Sequence, residues 1–499
     1  MKRKLLVTVI VLAATLLLAT PYNRVAHADG VWVIQGNDDS DCSDGDCDSK
    51  TLQDALDAAN PGAKLILRGT FDFGENGSVS IFRDVEIVGE SATIKNGKQT
   101  FAIGFDPSLP DGGEARSQNG FVGPKVVFKD LHFEDALYST IHVIATSGLT
   151  VKNCSFEDGK YYNYWGPLGA HHSVFIHAGW TIFSPYSGEP SDVTGPIIIK
   201  NNTWEGNSRI DYLDGSLPFF GGDPVPMNGI LSPFMMIGGK DVYVTINNNV
   251  SKNAGWYHFT VVDIKGNESS IEVLNNTVEN DNSNVAQNSI LLMSDMHAWT
   301  SDIYPGLSEI EPGDPDVSLI VQENSAKLYG ETRNATSGAV IGSINNASIT
   351  NNKFDIATEG YGCGGRGIWM QGVRDSVINN NLIILNDICN KNWSFGIAVW
   401  EGLSQSSGNM IENNKITGAA NYGIVVGDSY AFYGLTTNNV FRNNNLKHLI
   451  LVEFEEKIDG RTYTEAHILF DLQSAGNVFY GNKDERLIDF GTDNEYQYK

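Results

Sequence analysis

The feature that most constrains this chain is a recurring pair of asparagines closing short apolar runs. It occurs in IIIKNNTW (Asn201, Asn202), VTINNNV (Asn247 to Asn249), IEVLNNTV (Asn275, Asn276), SITNNKF (Asn351, Asn352), SVINNNLI (Asn379 to Asn381), MIENNKI (Asn413, Asn414) and VFRNNNL (Asn443 to Asn445), with several successive pairs about 27–34 residues apart. A second series, Gly367-Ile-Trp-Met, Gly396-Ile-Ala-Val and Gly423-Ile-Val-Val, repeats at a similar interval. Two strand types in fixed order describe a coil that climbs one step per repeat. A single coil buries nothing, whereas a stack of coils builds a continuous core. Each strand alternates an inward Ile or Val with an outward residue. Asparagine suits the bend because it accepts left-handed backbone angles, and its amide can pair with the amide of the next coil. The asparagines are therefore expected to be structural, forming a ladder through Asn352, Asn380 and Asn414.

The amino-terminal block fits a β-solenoid. TLQDALDAANPGAKLILRGTF predicts an amphipathic helix over Thr51 to Ala59, a stop at Pro61-Gly62, and a strand, with further strands in DVEIVGESATI. Such a helix would cover the open apolar end of the stack. This block and the NN-ended strands resemble the right-handed parallel β-helix superfamily that includes pectate lyases, pectin esterases and polygalacturonases, over roughly Thr51 to Asn482. The resemblance implies an all-β, single-stranded right-handed parallel β-helix with a short N-terminal capping helix. It brings no catalytic residues, because the Asn-Thr-Asp, Asp-Asp and Gly-His-Gly motifs of polygalacturonases, the pectin-esterase signatures and the pectate-lyase arginine motif are missing. The expected organisation is an export signal over 1–28, an acidic lead-in and capping helix over 29–60, the β-helix over 61–482 with insertions around 161–228 and 296–316, and a tail over 483–499.

The signal is read from Lys2, Arg3 and Lys4, an apolar run from Leu5 to Ala19, and Ala26-His27-Ala28 before the cleavage point. The mature chain is expected to be secreted, into an extracellular, periplasmic or cell-surface location, as a monomer without a membrane span. Losing Arg24 with the three amino-terminal cations takes the formal charge from -26 to -30. That excludes nucleic acid as a partner, since non-specific binding to it depends on Lys and Arg neutralising phosphates. Export also makes disulfides admissible. Cys42 and Cys47 are close enough for a loop bridge, and Cys363 and Cys389 lie about one repeat apart, so neighbouring coils would bring them within bonding range. Cys154 is left over, as a small buried residue.

A site is sought by aligning coils, because outward positions of one strand form columns. STIHVIA, SVFIHA, HFTVVDI, SILLMSD, GIWMQG, GIAVWEG and GIVVGDS then present His142, His177, Asp263, Asp295, Trp369, Gln371, Trp400, Glu401 and Asp428 outward. Aromatic, Gly- and Pro-rich insertions at Tyr161–Gly195, Asp211–Asn228 and Met296–Asp316 are placed to wall a groove over the middle coils. His177, Asp263 and Asp295 are the candidate catalytic groups. Paired carboxylates supply the acid and base of glycoside hydrolysis; a lyase needs a base beside a cation, for which Lys265, His297 and Arg366 are available. Trp180, His297, Trp299, Arg366, Trp369, Trp400 and Glu401 are the candidate substrate contacts. His171-His172 lacks a carboxylate at ligand spacing, so no metal site is assigned. The acidic run Asp38 to Asp48 offers a place for calcium but lacks EF-hand spacing, and a flexible lead-in is the simpler reading. The function expected is action on an extracellular polysaccharide, by hydrolysis or lysis. The competing reading is a non-catalytic surface or adhesion module that binds glycan.

Overall fold

The computed structural model describes residues 25–26, 30–44, 47–108, 123–157, 172–178, 189–206, 232–254, 257–280, 288–293, 315–331, 336–359, 364–387, 393–401, 405–427, 435–458, 460–483 and 486–497. They form a right-handed parallel β-helix with three faces. In one coil, Gly365–Gln371 lies on the front face, Val377–Asn379 on the second and Leu382–Asp387 on the third, after which Phe395–Trp400 returns to the front one rung higher. Thirteen front strands stack in a single sheet. Strands of the other two faces stack in parallel register through the asparagine bends.

Each asparagine pair divides the work of its bend. The first member takes the left-handed conformation, as at Asn201, Asn248, Asn275, Asn351, Asn380, Asn413 and Asn443. The second carries the ladder and is buried from Asn202 through Asn249, Asn276, Asn324, Asn352, Asn381 and Asn414 to Asn444, ending on the half-buried Asn482. The ladder residue between Asn352 and Asn414 is thus Asn381, and the Asn380 expected there is its exposed left-handed neighbour. Asn381 Nδ2 donates to Asn414 Oδ1 at 2.9 Å and to Ile349 O at 2.9 Å. Cys154 occupies the ladder position one coil before Asn202 and donates its backbone N–H to Asn202 Oδ1. It is a buried free thiol, pushed up to about 12 chiefly by that burial. A second ladder, Asn409–Asn439–Asn477–Asn494, supports the bend between front and second faces in the last coils.

Inside, Ile, Val, Leu and Phe from all three faces make one continuous cluster. Phe133, Phe156 and Trp204 stack on successive rungs, with ring centroids 4.9 and 5.2 Å apart. The repeated glycines of the front strands face inward: a Cβ on Gly367 would sit 2.6 Å from Ile383, and one on Gly396 2.6 Å from Ile416.

The first rung is the strand Val31–Asn37, and the capping helix runs Asp48–Ala58, burying Leu52, Ala55 and Leu56. The acidic run is folded around Asp48 rather than flexible. Asp48 is buried, and its carboxylate accepts the backbone N–H groups of Asn37, Asp39 and Asp72. Burial is the main influence on its carboxyl and raises its pKa, partly opposed by those three bonds. The Cys42–Cys47 disulfide closes the same loop. Cys363 and Cys389 lie outside the described residues. Beyond Asn482, Leu487–Asp489 and Glu495–Gln497 add a further rung to the front and second faces. No helix among the described residues is long and apolar enough to cross a membrane.

Candidate functional site

Register fixes which front-face residues point outward. The columns read Ala102–His142–Phe175–Met235–Thr260 and, from Val340, Trp369–Ala398–Val425–Leu469, with His177–Ile237–Val262 and Gly342–Gln371–Trp400 two positions further along. His142, His177, Trp369, Gln371 and Trp400 therefore face outward as the coil alignment predicts. This outward face is largely buried, and it divides in two.

Over the last coils it is apolar. Phe395, Ala398, Trp400, Tyr422, Val425 and Leu469 pack with Phe454 and Tyr463 beneath the antiparallel hairpin Glu455–Ile458/Arg461–Thr464. Trp400 is 8% exposed within this cluster, meeting the ring of Trp369 edge-on at 5.1 Å. Arg366 lays its guanidinium over Trp369, 4.3 Å from the ring centroid. Glu401 is buried and accepts a hydrogen bond from Thr436.

Over the first and middle coils the outward face is polar although buried. His142, His172 and His177 surround the ring of Phe175, with centroids 4.9 Å from it in each case. Gln99 bonds His142 Nδ1 at 2.8 Å. The hydroxyls of Ser139, Ser232 and Thr260 are buried with no hydrogen-bond partner among the described residues. A sheet face that needed only to be covered would be apolar, as it is further along, because burying unpaired hydroxyls costs about 1–3 kcal/mol each. Sequence reasoning missed His172 and Gln99, whose place depends on the register of the coil.

Asp263 is set apart by its backbone. It is 4% exposed and has φ of 57°, the sole buried non-glycine among the described residues in the left-handed region. Its partner one rung earlier is Gly238, φ 76°, and on later front strands Ser343, φ 51°, and Gly372, φ 59°, take the same kind of bend. A glycine or a small side chain occupies the bend on these other rungs; the aspartate costs about 1 kcal/mol of backbone preference and places a carboxylate under cover. His177 heads the column that runs through Ile237 to Val262, so it lies two rungs, roughly 10 Å, from the strand position next to Asp263. Arg366 is three rungs away and at the opposite end of its strand, so the fold does not bring it to Asp263. Lys265 is two residues beyond Asp263 on the same strand. Asp295, Trp180, His297 and Trp299 lie outside the described residues.

One trio among the described residues has metal-ligand character, and it is on another face. Ligand atoms of His132, Glu134 and Glu157 lie within 4.8 Å of one another on the third face. His132 already bonds Ser155 Oγ and Glu134 Oε1, each at 2.7 Å, so its ring is satisfied without an ion.

Residues 321–484 match the family model for the right handed beta helix region. The chain has the fold of the right-handed parallel β-helix superfamily. Among solved structures it is similar in fold to the mannuronan C-5 epimerase A-module of Azotobacter vinelandii, at 13% identity and a TM-score of 0.51, covering 90% of this chain and 96% of that one. It also aligns with the surface adhesin PfbA of Streptococcus pneumoniae (13% identity, TM-score 0.40, 86% and 92% covered). A polysaccharide lyase of Pseudopedobacter saltans aligns at 10% identity and a TM-score of 0.37, with 92% of each chain covered. No curated protein matches the sequence.

Proposed function

We propose that this is an exported enzyme acting on an extracellular polysaccharide, with its reacting centre on the front face at the middle coils. The observation that carries the reading is Asp263, a buried carboxylate held in the left-handed conformation that glycine and serine take at the same bend on other rungs, beside a buried polar face containing His177. Strain of this kind persists where surrounding structure over-determines it, and it concentrates at working sites. Asp263 serves as the acid or base and His177 as its partner across the bound sugar. The export signal and the Cys42–Cys47 bridge support an oxidising compartment.

The test is to screen the purified chain against neutral and uronate polysaccharides, following both new reducing ends and the absorbance of unsaturated ends. Asp263→Asn and Asp263→Gly both suit the left-handed backbone, so both should fold, and both should lose about 100-fold or more in rate. Full activity in the two variants would overturn the assignment. Glycan binding without turnover, unchanged in both, would identify a binding module instead.

A further inference from the structure

The third face carries a column of charge that no packing requirement explains. Register places Glu134, Glu157, Glu205, Lys252, Glu279, Lys327 and Asp355 on successive rungs, all pointing outward. From Lys252 onward the sign alternates at every step of about 4.8 Å. A concavity of about 660 Å³ follows this alternating part, lined by Glu205, Lys252, Glu279, Lys327, Asp355 and Tyr329. Tyr329 is 40% exposed, one of few large aromatic side chains so open among the described residues, and it stands in the adjoining outward column with Ala357 and Asn386. Opposite charges on neighbouring strands do favour pairing, and Lys252 meets Glu205 at 3.6 Å. Pairing alone asks for neither a hollow nor an exposed ring.

We infer that this hollow is a second binding groove, separate from the front face, for an uncharged oligosaccharide. The two lysines and three carboxylates that line the hollow, Glu205 to Asp355, sum to a single negative charge, so the field disfavours a polyanion and is too weak to gather a polycation. What remains is a row of strong donors alternating with strong acceptors, a pattern that suits hydroxyl groups, which donate and accept at once. Lys252 and Lys327 are two rungs, roughly 10 Å, apart, about the length of a disaccharide. Tyr329, 40% exposed, offers an aromatic ring against which a sugar can lie. The groove does not rest on the catalytic reading of Asp263; it would hold a chain while the front face acts, or hold one without any reaction.

The experiment is calorimetric titration of the full chain with neutral hexasaccharides of glucose, mannose, xylose and galactose, and with a hexauronate, at low and at 0.5 M salt (about 0.5 M, where the screening length is a few ångström). A neutral hexasaccharide should bind with little salt dependence. Tyr329→Ala and Glu279→Gln should each weaken it about tenfold with unchanged thermal melting. Binding of none of the neutral sugars, binding indifferent to both groove variants, or salt-sensitive binding of the hexauronate alone would overturn the proposal. Loss of binding in Asp263→Asn with none in the groove variants would assign the sugar to the front face instead.

Discussion

His258 Nδ1 lies 2.6 Å from Ser251 Oγ inside the solenoid, a polar pair enclosed by the apolar core. His258 stands on the inward glycine column of the front face, and Ser251 on the inward column of the third face next to Trp204. Burial holds the imidazole down at about 3.

A depressed imidazole makes stability fall with acid. The unfolded chain takes up this proton below about 6.5, whereas the folded chain resists until about 3, so the stabilisation is complete above 6.5 and is lost as pH falls toward 3. At pH 5 the loss is about 2 kcal/mol. Melting of the wild type should drop between pH 6.5 and 4, and His258→Asn should flatten that part of the profile. Equal slopes in the two proteins would show that His258 is not the source.

The asparagine ladder predicts that damage at one rung reaches its two neighbours. Asn381→Leu removes the bonds it donates to Asn414 and Ile349 and those its Oδ1 accepts from the backbone and side-chain N–H groups of Asn352, leaving buried groups of the adjoining rungs unpaired, at a cost of about 1–3 kcal/mol per orphaned group. Asn380→Gly, at the exposed left-handed position one residue earlier, should be neutral or slightly stabilising. Urea titration of the pair checks this, and similar losses in both would mean that the two asparagines do not divide their roles.

That division marks how far the sequence can be read. The NN repeat reveals the bend, the coil length and the inward strands, because a fold made of stacked copies writes its geometry into periodicity. It does not say which asparagine turns inward, since a one-residue choice of face leaves the same string of letters. The outward placement of His142, His177 and Trp369 was likewise legible from the alignment of coils. The special standing of Asp263 was not, because a positive φ has no letter of its own outside glycine and asparagine. Nor was the covering of the last coils: the segment Phe454 to Ile458 falls outside the repeat, and only the fold shows that the hairpin it enters lies on the front face over Trp393 and Tyr422.

Trp400 tests whether an outward aromatic holds substrate or the protein. It contacts Trp369, Trp393 and Phe395 inside a cluster closed by Tyr463, whose hydroxyl donates to Asp471 at 2.8 Å, while Trp393 Nε1 donates to Glu456 on the hairpin at 2.7 Å. Truncating a buried aromatic costs about 3–5 kcal/mol. Trp400→Ala and Tyr463→Ala should therefore each expose the carboxy-terminal coils to limited proteolysis and lower the unfolding midpoint, and neither should change the affinity for a bound glycan below the melting range. Trp369, more open and covered by Arg366, should behave differently if it touches sugar: Trp369→Ala would weaken binding with a smaller loss of stability. If Trp400→Ala instead reduces affinity while melting and proteolysis stay as in the wild type, the cluster is a binding surface, and the front-face site extends over the last coils.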